Sequence, residues 1–279
     1  MNKINFQLKT DKNLLYFTIP IVILIAICSG IGIWNQTLYS RETADWSAQC
    51  IGQDTSNMFF VAPILLVSAI WASKGSKTAI IIWLGTMITN AYTYVLYCFA
   101  IHFNFLFHVY CLILGLSIFS LLYFFTKYIN EDFRNWFTGE TPNKAVGTFL
   151  LIIVVIFVFL WLADSLPAAL TNTTPESIAK FGLLTNPVHV LDFSFFLPLT
   201  FISAISLIKK KTIGYLLAPM MMVFGIITDI NIICLSFVVM KKTASNNMPL
   251  IITFIVFSFV YLGFLWSMLK NISRESKIG

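Results

Sequence analysis

The sequence predicts an all-α fold, a polytopic membrane bundle of eight transmembrane helices, and three observations carry that prediction: composition, apolar runs of membrane length, and a lopsided distribution of Lys and Arg. Of 279 residues, 58% are hydrophobic and 11% charged, whereas soluble domains are about 45–50% apolar and about 25% charged. A water-soluble domain is thereby excluded. The 27 Phe and 16% aromatic content also exclude a disordered chain, which needs low hydrophobicity and high charge. The apolar runs are continuous rather than alternating, which rules out a β-barrel. The formal charge of +6 sits at the ends of apolar runs and not on a basic face interleaved with aromatics, so no nucleic-acid partner is expected. The expected partner is the lipid bilayer.

A hydrocarbon core about 30 Å thick takes about 20 apolar residues per helix, because backbone polar groups there must satisfy one another. That ruler yields eight runs: 14–34, 56–72, 78–101, 105–126, 145–165, 189–208, 213–240 and 249–269. The first follows Lys3, Lys9 and Lys12 like a signal peptide, but its apolar stretch is too long and no small-residue cleavage site follows Gly32, so a retained anchor is expected. A long outer loop, 35–55, holds Cys50 and leads to the short second run, opened by Asp54 and Asn57. The third carries Asn90, Tyr92, Tyr94 and Tyr97, of which Asn90, Tyr94 and Tyr97 share one face. His108 and Tyr110 open the fourth. The connection 127–144, with Glu131, Asp132, Phe133, Arg134 and Trp136, reads as an interfacial amphipathic connector, with a solvated loop as its default explanation. Asp164 closes the fifth run, and a second long outer loop, 166–188, follows. The sixth opens on Pro187-Val188-His189-Val190-Leu191-Asp192, with Pro187 suited to a first helical position. The seventh is long, and Gly214, Pro219 and Gly225 predict a kink or tilt that absorbs the excess. Asp229 lies more than ten residues from either of its ends.

Orientation follows from the basic residues. With the N-terminus inside, fourteen of the 18 Lys and Arg fall on the cytoplasmic side, Lys3, Lys9, Arg274 and Lys277 among them. Only Arg41, Lys180, Lys241 and Lys242 fall opposite, which predicts both termini cytoplasmic in a cell (plasma or inner) membrane. Trp34 and Trp161 fall at outer ends and Trp71 and Trp266 at inner ends, where indole rings favour the headgroup region.

The chain reads as one membrane domain, 1–279, and its halves, 1–140 and 141–279, invite comparison. A shift of 135 positions lays Phe60 on Phe195, Pro63 on Pro198, Ser68-Ala69-Ile70 on Ser203-Ala204-Ile205 and Lys74 on Lys209. It also sets Asp54 opposite His189, Asn57 opposite Asp192 and Tyr94 opposite Asp229. Two readings stay open: a parallel four-plus-four duplication, or two apolar helices sharing composition.

Polar groups in hydrocarbon are costly and normally face the bundle interior. The candidates are Asp229, Asp192, His189, Asp54, Asn57, Asn90, Tyr94 and His108, gathered toward the outer halves of their helices. His189 and Asp192, spaced i,i+3, are placed for a His–carboxylate hydrogen bond, or Asp192 simply complements the helix dipole. Asp229 marks an ion or substrate pathway, or bonds to Tyr94 or Asn90 for packing alone. Five cysteines without a CxxC or metal-like spacing predict neither a disulfide framework nor a metal centre. No Walker A, GxGxxG, HExxH or GxSxG motif occurs, so no cofactor is expected. The residues point to an outward-facing polar cavity that binds a small solute or ion for transport or sensing. The rivals are an intramembrane enzyme acting on a lipid or quinone, with His189, Asp192, Asp54 and His108 as acid–base groups or metal ligands, and a non-catalytic accessory subunit.

At Trp83-Leu84-Gly85 with Tyr92 and Tyr94, at Asn104-Phe105-Leu106-Phe107 followed by Tyr110, and at Pro187-Val188-His189-Val190-Leu191-Asp192, the chain resembles a group of uncharacterised bacterial multi-pass membrane proteins. The resemblance runs from about Asp54 to Asp229. It implies the membrane class and directs attention to those positions, and no activity comes with it.

Overall fold

Each of the eight apolar runs folds as a helix long and apolar enough to cross a membrane, and the described residues contain no β-strand. The computed structural model describes residues 10–35 and 37–273, so Lys3, Lys9, Arg274 and Lys277 of the basic set lie outside the described residues. In chain order the helices are α1 (Lys12–Trp34), α2 (Ala44–Ala72), α3 (Lys77–Phe99), α4 (Phe107–Lys127) and α5 (Asn143–Thr171). There follow the six-residue α6 (Glu176–Phe181) and then α7 (Pro187–Ile208), α8 (Gly214–Thr243) and α9 (Met248–Leu269). Side-chain caps start several of them. Asp11 accepts from the Asn13 amide, Thr43 from Trp46, Ser76 from Ala79, and Asn186 from both Val188 and His189, satisfying N–H groups that a helix start leaves free.

The exterior of the bundle is apolar, and small or polar side chains are interspersed in an otherwise hydrophobic core. Ile23, Phe119, Phe159, Phe201, Ile252 and Phe259 are exposed, while Thr86, Thr89, Asn90, Ser117 and Ser203 are buried. The former suit a lipid-facing surface, and small or polar residues between helices allow close approach and hydrogen bonding. Helices α3 and α8 form the centre and cross backbone to backbone. A Cβ on Gly85 of α3 would stand 2.5 Å from Val223 Cβ and 2.7 Å from the Met220 carbonyl of α8. Around this crossing, α1 packs on α2 and α4, and α3 on α2 and α4. Correspondingly α5 packs on α7 and α8 on α7 and α9, while Phe149 of α5 meets Tyr261 and Phe264 of α9.

Helices α2 and α7 each contain one π-turn, Asn57–Val61 and Asp192–Phe196, in which Ala62 N–H donates to the Asn57 carbonyl and Leu197 N–H to the Asp192 carbonyl. The turns begin 135 positions apart. A proline follows each at the same spacing, Pro63 and Pro198. Proline has no N–H and its ring crowds the carbonyl four residues earlier; the extra residue of a π-turn relieves both.

Three sequence expectations are corrected. Helix α2 begins at Ala44 and not at residue 56, so the outer loops shrink to 35–43 and to a 172–186 segment that contains α6. Residues 44–55 are too polar for the membrane ruler, yet they are covered by the far end of α8, whose 30 residues reach about 45 Å at about 1.5 Å per residue. Gly52 lies so close that a Cβ there would stand 2.5 Å from Leu235 Cα. Cys50, expected in a loop, is consequently buried in this helix. The 128–142 connection is not a plain solvated loop: its aromatic side chains are buried while Asp132, Arg134, Asn135 and Glu140 stay exposed, the amphipathic pattern of the other reading. Phe133 and Trp136 are buried, Trp136 Nε1 donates to Glu131 at 2.9 Å, Thr212 donates to Asp132 at 2.6 Å, and Arg134 reaches the Lys210 carbonyl.

The bundle has two chemically distinct ends. At one, Trp46 Nε1 donates to the Ala100 carbonyl at 2.8 Å, His102 pairs with Glu42 at 3.0 Å and Trp46 packs on Phe181; we call it the Trp46 end. At the basic end, Lys127 pairs with Asp11 at 2.7 Å, the Asp11 amide donates to the Ser73 carbonyl at 2.9 Å and Lys77 donates to Ser273 at 2.6 Å.

Candidate functional site

A cleft of about 370 Å³ opens at the Trp46 end, between the first turns of α2, the end of α5, α6 and the start of α7. Its walls include Trp46, Gln49, Trp161, Asp164, Phe181 and His189. Asn186 caps α7 and so places His189 in the first turn. Ser177 of α6 donates to Asp164 Oδ2 at 2.7 Å. His189 Nδ1 lies 3.9 Å from the same oxygen, beyond a direct hydrogen bond and within ion-pair range when the ring is protonated. The His189 ring packs on the Trp161 indole with centroids 4.5 Å apart.

Below the cleft, Trp161 Nε1 donates to Asp192 Oδ2 at 2.7 Å and the Tyr92 hydroxyl of α3 donates to Asp192 Oδ1 at 3.0 Å. The expected His189–Asp192 hydrogen bond is absent among the described residues. Trp161 stands between the two side chains, covering one with its ring and supplying the other's donor. Asp192 therefore ties α7 to α5 and α3 at once. Tyr92 in turn packs edge-on against Phe224 of α8, so this chain of contacts runs from the cleft to the central crossing.

Asp54 belongs to a separate cluster inside the first four helices. It is 1% exposed and accepts from the Tyr39 hydroxyl at 2.7 Å and the Tyr97 hydroxyl at 2.8 Å, one on each oxygen. Tyr97 stacks on Tyr94 and packs on Tyr110. Tyr39 lies in the 35–43 loop, where burial above all, then Tyr97 and Asp54, push its phenol well above the ordinary range. It therefore stays a donor at any physiological pH. Nearby, Gln53 donates to Asn57 at 2.8 Å, while Asn57 Nδ2 is buried without a partner.

The remaining candidates go elsewhere. Asn90 donates to Ser117 of α4 at 2.9 Å. Asp229 accepts from Ser258 of α9 at 3.2 Å and bonds to neither Tyr94 nor Asn90, because its face of α8 looks toward α9 and not toward α3. His108 is exposed at the start of α4 with its ring edge-on to Phe107. The eight candidates thus divide between the cleft and its support (His189, Asp192), the tyrosine cluster (Asp54, Tyr94) and isolated positions. Trp161 and Asp164, which build the cleft, stand outside the eight candidates, although their i,i+3 spacing on an otherwise apolar helix is legible in the sequence. Tyr39, Ser29 and Gly32 gave no such signal, since they meet Asp54 only through the fold. Among the described residues no group of three or more His, Cys, Asp or Glu side chains is gathered to hold a metal ion. No protein-family model, curated protein or solved structure matches the chain.

Proposed function

We propose that this chain, whose eight apolar helices fit a multi-pass membrane protein, binds a small organic cation in the cleft at the Trp46 end, as the first step of transport or sensing. The observation that carries this reading is the make-up of the cleft wall: Trp46, Trp161 and Phe181 beside the single carboxylate of Asp164, with no Lys or Arg. Indole faces attract ammonium groups, and a few polar groups in a mostly apolar cleft fix a ligand's orientation. Asp164 supplies the counter-charge, and protonated His189, 3.9 Å away, competes for it. Lys180, outside the lining, is held by Asp45 at 3.5 Å.

Two further readings support an outward-facing site. The basic end faces the cytoplasm, as the excess of Lys and Arg requires, and exposed Trp34, Trp71 and Trp266 at helix ends lie at the two headgroup regions. The chain is a parallel duplication in which α1 to α4 correspond to α5 and α7 to α9. The two π-turns at one offset, their shared prolines and the matching helix pairs favour common descent over shared composition. The cleft then lies between the halves, lined by α2 from one and α5 and α7 from the other, where parallel-repeat transporters place their sites.

Choline and tetraethylammonium, titrated into purified protein while tryptophan fluorescence is followed, test the binding reading. Saturable change in the wild type, weakened about tenfold or more in Asp164→Asn, is the expected result. A signal that never saturates, or equal affinity in Asp164→Asn, would refute it.

A further inference from the structure

We propose a second site, for a sodium ion, built by Asp54 with the hydroxyls of Ser29, Tyr39, Tyr97 and Tyr110 inside the first four helices. The starting point is an electrostatic imbalance. Asp54 is 1% exposed within a membrane-spanning helix, and among the described residues no Lys, Arg or His forms an ion pair with it. A carboxylate removed from water without a counter-charge is costly, and two phenol donors offset only part of that cost.

The surroundings supply oxygen ligands and little else. Tyr39 and Tyr97 each donate their proton to Asp54, leaving phenol lone pairs free to face a cation. Ser29 Oγ is fully buried, lies beside Asp54 and Tyr94, and has no hydrogen-bond partner. The Tyr110 hydroxyl, on a residue 1% exposed, lies beside Tyr39 and is likewise unpartnered. Two buried hydroxyls without partners around one carboxylate are unusual in a native interior, and an ion beside Asp54 would take their lone pairs while their protons turn to the neighbouring acceptors. Gly32 makes the arrangement possible: a Cβ there would fall 1.8 Å from Asp54 Oδ2 and 3.1 Å from the Tyr39 hydroxyl.

Ligand chemistry selects the ion. An all-oxygen set suits a hard cation, and one carboxylate balances one positive charge, so a divalent ion would leave excess charge buried. Neither cleft includes Asp54, so an ion there would be held by protein oxygens alone, and sodium is taken as the monovalent ion to test, with potassium as the control. This site stands apart from the proposed cation cleft, and its test does not depend on that reading.

Thermal unfolding of the full-length protein in detergent, with sodium chloride exchanged for potassium chloride at constant ionic strength, reads the site directly, because a ligand bound only by the folded state raises Tm saturably. The wild type is expected to melt higher in sodium, Asp54→Asn to lose the difference, and Asp164→Asn to keep it. Ser29→Ala, which removes one ligand, is expected to need about tenfold more sodium for half the effect. Equal melting in both salts, as for a carboxyl that merely carries a proton, would overturn the proposal. So would a sodium response that persists in Asp54→Asn. If Asp54→Asn fails to fold, an unchanged sodium requirement in Ser29→Ala overturns it instead.

Discussion

At the scale of single residues, Asp192 shows how a buried carboxylate earns its place. Its oxygens accept from Trp161 and Tyr92, on two different helices, so the residue acts as a three-helix joint and supports His189 through the Trp161 ring between them. Trp161→Phe keeps an aromatic ring and removes the N–H. It is expected to lower stability by about 1–3 kcal/mol, the cost of leaving a buried acceptor short of a donor, and to weaken choline binding as well. A melting curve and a titration on the same sample check both; unchanged melting would show that the joint carries no weight. Asp192 itself was legible in the sequence, because a charge in an apolar run stands out. Its partners were not: Trp161 lies 31 positions away and Tyr92 lies 100 away, and which of several polar neighbours wins is decided by how α3, α5 and α7 cross.

At the scale of elements, length and composition found all eight membrane-length helices, misplaced the start of α2 and the end of α5, and gave no sign of the short α6. The start of α2 was lost because a ruler for apolar residues ends where Asp45, Gln49 and Gln53 begin, although a polar helix can persist there if the over-long α8 covers it. The π-turns were hidden for a different reason: Pro63 and Pro198 announce a disturbed ladder without saying whether a kink or an inserted residue absorbs it. Each π-turn carries one residue more than the α-helix around it, which makes a specific prediction. Deleting exposed Ser194 from the turn Asp192–Phe196 should leave a folded, monodisperse protein with unchanged helix content by circular dichroism. Deleting Thr89 from regular α3 would rotate every later side chain and should give aggregate on size exclusion. Equal tolerance of the two deletions would contradict the insertion account.

At the scale of the whole molecule, eight membrane-length helices present an apolar exterior, α3 and α8 cross at the centre, and a cleft opens at one end. Sequence alone pointed to the class, the orientation and the outer half as the place for a site. It overestimated how many polar residues share that site, because helices rotate independently and Asp54, Asp229 and Asp192 each turn to a different neighbour. The central claim is an outward-facing cleft that takes an organic cation, and cysteine protection tests it most directly. With the five native cysteines replaced and Leu183 of the cleft wall changed to Cys, intact cells are treated with a membrane-impermeant maleimide. Labelling from outside, slowed saturably by choline and no longer slowed in an Asp164→Asn background, is the predicted result. Labelling only after the cells are opened, or labelling that choline leaves untouched, would contradict it.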